Sequence, residues 1–393
     1  MCLELVDLSF ELAKLHCFMA ISYKNSWVYG KSKMTYRFDS TKVPVFKTGQ
    51  ISLGMWRDGI AVRAPSGLGD AVMSIPAMLQ LKKTVPWPCG IYVVSSSALE
   101  PLFRSLDFVD DVIALDGNGI WSRKEIKLVN RVHTGVGIIF RDSFLDAFYM
   151  KFALIPRLFG PAAKGNSIFL EKAFDFSKHK NLHNSFRYMS IAYSLGTPQW
   201  DGIFPVFRDL KEPEITDPEL TSILEQENLL LVAPGAEYFP AKMWPASNFT
   251  ELIRVWTADF KGSCVISGTA SEKLVCDIIS AGLDSEKVFN LAGKLDLYDL
   301  IKLVRKAKGC VSNDNGLMHL AAAAGCPGAA IFGPSDPELN GPMSNTWSVL
   351  QGKKECPSCF ARKCPKGTYD CYAGITAEAL IPELQRFHQT ITS

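Results

Sequence analysis

Nowhere in this sequence does an apolar run reach the ~20 residues that a helix needs to cross a bilayer, so no spanning helix is expected. A basic export signal is lacking as well. The opening stretch MCLELVDLSFELAKLHCFMAISY carries Glu4 and Asp7 where a secretory leader carries basic residues. Net charge is almost missing: the formal value is +2, so no global field points to nucleic acid and any anion site must be local. Short-period repeats and low-complexity tracts are absent too.

What remains is globular. Hydrophobic residues make up 47% and charged residues 21%, which is neither disordered nor fibrous composition. A chain of 393 residues is long enough for two domains with their own cores. Cysteine is not scarce, at 11 residues. Cys264, Cys276, Cys310 and Cys326 sit in apolar stretches and read as buried free thiols, which suits a reducing cytoplasm. Cys356, Cys359, Cys364 and Cys371 form C-x2-C-x4-C-x6-C. Four thiols so spaced can hold a structural zinc, with disulfides as the rival reading.

Two rhythms of strand and helix run along the chain. GIAVRAP (59–65), IYVVSS (91–96), DVIALD (111–116) and GVGIIFR (135–141) read as buried strands, with helical AVMSIPAMLQLKK (71–83) after the first. Residues 208–220, RDLKEPEITDPEL, are polar and carry two prolines, as an inter-domain linker would. Beyond them LLLVAPG (229–235), SCVISG (263–268), KVFNLAG (287–293), GCVSND (309–314) and GAAIFG (328–333) alternate with helical segments. Such alternation predicts parallel sheets with crossover helices. The expected domains are 56–210 and 228–375, joined by a linker over 211–227 and flanked by an extension (1–55, with one helix) and a last helix (376–393). The fold class is α/β, two doubly wound Rossmann-like domains facing a cleft.

Two strand-to-helix turns carry glycine. In APSGLGDAV (64–72), Gly67 and Gly69 fit a dinucleotide fingerprint, but Val72 occupies the third glycine position. That disfavours a nicotinamide oxidoreductase. Asp70 at this turn either caps the helix or accepts a proton from a hydroxyl, and the two roles are compatible. In SNDNGLMHL (312–320), the amides of Asn315, Gly316 and Leu317 open a helix and lack intrahelical partners. With the helix dipole they form a site for a phosphate-type anion, within reach of His319, while Asp314 should turn aside toward sugar hydroxyls. Each of these residues also has a plain structural reading, as a cap or a packed side chain. Lys242, in PGAEYFPAKMWP (234–245), lies in a loop at a strand's carboxyl end, where an ammonium neutralises phosphate unless it is merely a solvated loop lysine.

Together these stretches resemble glycosyltransferase family 9, the ADP-heptose:lipopolysaccharide heptosyltransferase type with a GT-B fold. The matching segments include GLGDAVMSIPAMLQLKK, IIFRDSFLDAFYMKFALIPRLFG, PGAEYFPAKMWPASNFTELI, SNDNGLMHLAAAAGCPGAAIFGPSDPELNGP and CPSCFARKCPKGTYDC, spread over residues 59–372. The resemblance implies that Asp70 is the general base and that Lys242 contacts the donor phosphate. It sets Asp314 near the donor sugar and Asn315, Gly316, Leu317 and His319 on the pyrophosphate. Glu272, in SGTASEK, takes the position of an acidic residue for the donor ribose. The acceptor side would include Arg141, Lys151, Arg157 and Lys164, cations among aromatics that could meet acidic sugars. For each of them a solvated amphipathic helix is the competing reading.

The implied activity is an inverting transfer of a sugar, heptose by resemblance, from a nucleoside-diphosphate donor to a glycolipid or oligosaccharide acceptor, with no metal in the chemistry. An epimerase, another nucleotide sugar or a binding protein without turnover are the alternatives. The expected setting is the cytoplasm, at the inner face of its membrane, with a monomeric enzyme in peripheral contact. The resemblance also allows the last helix, roughly 376–391, to cross back to the N-terminal domain.

Overall fold

The computed structural model describes residues 38–48, 53–116, 119–163, 165–208, 218–236, 239–352, 356 and 358–389. The N-terminal half runs β1 (Ile60–Arg63), α1 (Leu68–Thr84), β2 (Ile91–Ser96), α2 (Glu100–Arg104), β3 (Asp111–Leu115), α3 (Arg123–Arg131), β4 (Val136–Ile139), α4 (Phe144–Phe152), β5 (Arg157–Pro161), β6 (Lys172–Phe174) and α5 (Asn184–Ser194). After α6 (Pro218–Leu224), the C-terminal half runs β7 (Leu229–Ala233), α7 (Ala246–Asp259), β8 (Ser263–Ile266), α8 (Lys273–Ser280), β9 (Val288–Asn290) and α9 (Leu297–Lys306). It ends with β10 (Gly309–Asn313), α10 (Gly316–Ala323), β11 (Gly328–Phe332), α11 (Pro337–Asn340), β12 (Trp347–Gln351) and α12 (Ile381–Gln389).

Each half builds one parallel 6-stranded sheet, in the orders β3-β2-β1-β4-β5-β6 and β12-β11-β10-β7-β8-β9. Read from the other edge, the second order repeats the first. The central strands are buried along their whole length, as parallel strands covered by helices must be. In both sheets the order reverses between the first and fourth strands. Ligands of open α/β sheets bind outside the carboxyl ends at that reversal. Residues after β1, β4, β7 and β10 are therefore the ones to watch.

Four sequence expectations change. Residues 38–48 are not peripheral: Phe38, Val43 and Phe46 pack on the first domain, the Phe46 amide donates to Ser194 Oγ at 2.8 Å, and Thr48 Oγ1 donates to the Ser194 carbonyl at 2.7 Å. The only structure this segment adds is the short turn Ser40–Lys42, and the rest of the expected N-terminal helix region, 1–37, lies outside the described residues. Within the expected linker, 209–217 lie outside the described residues, while α6 is a docked helix with Leu220 and Ile223 buried. Residues 141–164 give not one helix but α4 followed by strand β5.

The last helix stays with its own half. Leu380, Leu384 and Phe387 are fully buried in the C-terminal core, because the apolar face of α12 covers β10 and β11 there. The Phe387 ring lies flat on Gly309, where an added Cβ would come 2.3 Å from it. Ser348 donates to Glu383 at 2.8 Å.

Candidate functional site

Asp70 stands in the first turn of α1, just after the carboxyl end of β1. Gly67, in extended backbone at the N-cap, offers no side-chain cap, so the carboxylate is free to face out. Tyr188 Oη, on α5, donates to Asp70 Oδ1 at 3.1 Å. Asp70 reaches solvent through a cleft, yet protein crowds it from several sides. That enclosure pushes its pKa above the ordinary carboxylate value, against the opposing pull of the Tyr188 hydrogen bond and the Arg187 charge. The cleft holds ≈ 340 Å³ and is lined by Pro65, Ser66, Asp70, Arg141, Arg187 and Tyr188.

Arg141, after β4, completes this side. It pairs with the buried Asp146 at 3.1 Å, whose other oxygen takes Arg63 Nε at 2.9 Å. Arg187 is ion-paired to Asp142. Of the other acceptor-side candidates, Lys151 donates to the Pro156 carbonyl at 2.5 Å and Arg157 pairs with Glu171. Both flank the start of β5, at the amino end of a strand parallel to β1, whereas Asp70 follows the carboxyl end of β1. The fold does not bring them to Asp70. Lys164 lies outside the described residues.

The second half presents its polar residues after β7 and β10. Lys242 Nζ donates to Asp314 Oδ2 at 2.6 Å, and Asn340 Nδ2 donates to Asp314 Oδ1 at 2.5 Å. Both oxygens of Asp314 are thus engaged, and the residue is buried. Lys242 also lies 5.2 Å from the Phe239 ring centroid. Asn315 is bound into the scaffold: its Nδ2 donates to the Ala233 and Gly235 carbonyls at 3.1 and 3.0 Å, and its Oδ1 accepts from the Met318 amide at 3.1 Å. This side chain caps α10 and ties the end of β10 to the end of β7.

Gly316 meets the other domain. A Cβ there would fall 2.9 Å from Leu68 Cβ, and one on Gly69 would fall 2.9 Å from His319 Cδ2. The two glycine turns therefore press directly on each other, and neither tolerates a side chain at the contact. Leu317 is buried at the start of α10. His319 is buried too, and its Nε2 has no hydrogen-bond partner within the protein. Burial lowers its pKa to about 4, so the ring is neutral at pH 7. Glu272 closes a capping box with Thr269 and lays its carboxylate against Gly235 at the end of β7, where an added Cβ would come 2.1 Å from it.

Three contributors went unread in the sequence, all polar residues at the ends or on the buried face of helices: Tyr188 and Arg187 on α5, and Asn340 at the end of α11. An Arg-Tyr pair inside the apolar run FRYMSIAYSL was the available signal. The four C-terminal cysteines divide between environments, Cys371 buried and Cys359 exposed. Among the described residues no group of three or more His, Cys, Asp or Glu could hold a metal ion. Nor is any described helix long and apolar enough to cross a membrane.

A site of this form, split between two doubly wound sheets, has known counterparts. The profile of glycosyltransferase family 9 (heptosyltransferase) matches residues 135–370. The chain belongs to glycosyltransferase family 9. Lipooligosaccharide heptosyltransferase 2 of Haemophilus ducreyi is 28% identical over 311 residues, covering 74% of this chain and 88% of that one. The structure of E. coli ADP-heptose LPS heptosyltransferase II superposes with a TM-score of 0.69 at 25% identity, over 84% of this chain and 98% of that one. E. coli heptosyltransferase WaaC, solved with ADP, shares the fold at a TM-score of 0.62 and 18% identity, over 84% and 99% of the two chains. The family 9 chain is thus a GT-B glycosyltransferase, as the sequence resemblance implied.

Proposed function

We propose that this family 9 enzyme transfers heptose from ADP-heptose to a lipopolysaccharide-type acceptor with inversion, using Asp70 as general base and the Lys242 side as the diphosphate site. The observation that carries the reading is the apposition of the two glycine turns. It brings the turn that carries an acidic group tuned upward in pKa against the turn whose Asp314 holds the Lys242 ammonium. Departure of a nucleoside diphosphate builds negative charge. Lys242, the opening amides of α10 and the unpartnered Nε2 of His319 are donors suited to that charge.

In-line attack needs the acceptor hydroxyl on the opposite face of the sugar from the leaving group. Asp70 would take the hydroxyl proton as the new C–O bond forms and the C–O bond to the diphosphate breaks. A raised carboxylate pKa makes it a better proton acceptor near neutral pH. The acceptor then occupies the cleft lined by Arg141 and Arg187. Glu272, close to the end of β7, suits the donor ribose hydroxyls. Asp314 is fully engaged by Lys242 and Asn340, which supports a role in holding the ammonium rather than in binding a sugar. We take the reaction to occur in the cytoplasm, where a glycolipid acceptor is presented at the inner membrane face.

The test is direct. Purified protein is incubated with ADP-heptose, and separately with other nucleotide sugars, on a core acceptor lacking the terminal heptose. Mass spectrometry should find one added heptose, and NMR of the product the inverted anomer. Transfer from a different donor alone, or a retained anomer, would overturn the proposal.

A further inference from the structure

α5 touches both halves of the site, and its start reaches across to the C-terminal half. His183 Nε2 donates to the Gly341 carbonyl at 3.0 Å. The next residue, Asn184, donates its Nδ2 to Asn340 Oδ1 at 3.3 Å. Two successive residues at the start of α5 thus meet two successive residues at the end of α11. Asn340 carries the contact inward to Asp314, and Asp314 to Lys242. Four residues on two domains form one chain of hydrogen bonds, and one turn further along α5 Tyr188 holds Asp70.

The direction of this chain is dictated by chemistry. Ionised Asp314 can only accept. Asn340 must therefore turn its NH2 toward Asp314, which leaves its carbonyl oxygen facing Asn184. Asn184 must then present its own NH2. Each amide has one satisfactory orientation, set by the carboxylate at the far end. We propose that Asn340 is a positioning residue that couples seating of the N-terminal domain to the placement of the Lys242 ammonium. With the latch made, Asp314 is held at both oxygens and fixes the direction of the ammonium. Without it, Asp314 keeps only one tether, and the ammonium loses its fixed direction.

This inference rests on the proposed diphosphate role of Lys242, and the experiment separates the two. ADP binding to the full chain is measured by calorimetry for the wild type, Asn340→Ala, Asn340→Asp, Asn184→Ala and the Asn184→Ala/Asn340→Ala double variant, with melting temperatures alongside. A hydrogen bond to a charged group is worth enough to predict about tenfold weaker binding for Asn340→Ala. Asn340→Asp keeps the shape but sets a second carboxylate against Asp314, so it should bind ADP more weakly than Asn340→Ala. A space-filling role predicts the reverse order. Asn184→Ala should cost about threefold, and the double variant no more than Asn340→Ala alone, because both act through one chain. Wild-type-like binding by Asn340→Asp, or additive losses in the double variant, would overturn the proposal while leaving the donor site intact. Failure of the wild type to bind ADP would overturn the donor reading and the coupling together.

Discussion

The two glycine turns have the same local design and opposite chemistry. Each follows a central strand, opens a helix, and uses a glycine to let the other approach. At the first, the carboxylate of Asp70 is left facing a cleft, with one phenol on it. At the second, the carboxylate of Asp314 is buried and held by an ammonium and an amide. Backbone geometry is thus shared, and the partners decide the role. An acid with few partners in a crowded setting is pushed toward the neutral form and can take a proton. An acid with both oxygens filled is a strut.

Exchanging the carboxylate for an amide at each turn is the sharpest way to break this contrast. Asp70→Asn should lower the transfer rate by about 10³-fold with donor affinity unchanged, since general-base catalysis contributes on that order. Asp314→Asn should instead weaken donor binding and lower melting temperature, because it leaves the Lys242 ammonium half-buried without its counter-charge. Steady-state kinetics beside calorimetry checks both. Equal effects on rate and affinity at the two positions would erase the distinction.

The next effect is steric. Gly316→Ala places a methyl 2.9 Å from Leu68 Cβ and should cost about 1–3 kcal/mol, with a similar loss in activity. At Gly67 the nearest atom to an added Cβ is Asp70 Oδ2 at 3.9 Å, so Gly67→Ala should be near neutral. Thermal melts of the pair test whether the domain contact lies where the structure has it.

The smallest expected change concerns pH. The Tyr188 hydrogen bond pulls the Asp70 pKa down. Tyr188→Phe removes that pull, so the acid limb of the kcat/KM profile should move to higher pH, with only a few-fold loss at the optimum. A limb unmoved or shifted to lower pH would mean that Tyr188 does not act on Asp70. His319 adds no limb above pH 5, since burial holds its pKa at about 4.

The overall fold was legible because most of its strands are short, largely apolar runs between helical segments. Nine of its strands could be read this way, from GIAVRAP to GAAIFG. β5, β6 and β12 were not: β6 and β12 lie at sheet edges, and all three carry charged, polar or glycine residues. At the site, Asp70, Lys242, Asp314 and His319 were legible because strand-end turns point to ligands. Tyr188 and Asn340 were not, since a hydrogen bond spanning 118 residues, as Tyr188 makes to Asp70, leaves no local pattern. Asn315 carried a capping signal that could not show that its amide also joins two strand ends.

The contact between the two glycine turns has a mechanical consequence. Each glycine receives a side chain of the opposite turn, Gly316 that of Leu68 and Gly69 that of His319, so the halves meet at a small bearing beside the hydrogen bonds from α5 to the end of α11. Rocking one lobe about that fulcrum would sweep the outer lips of the crevice widely, while the groups nearest the pivot shift least.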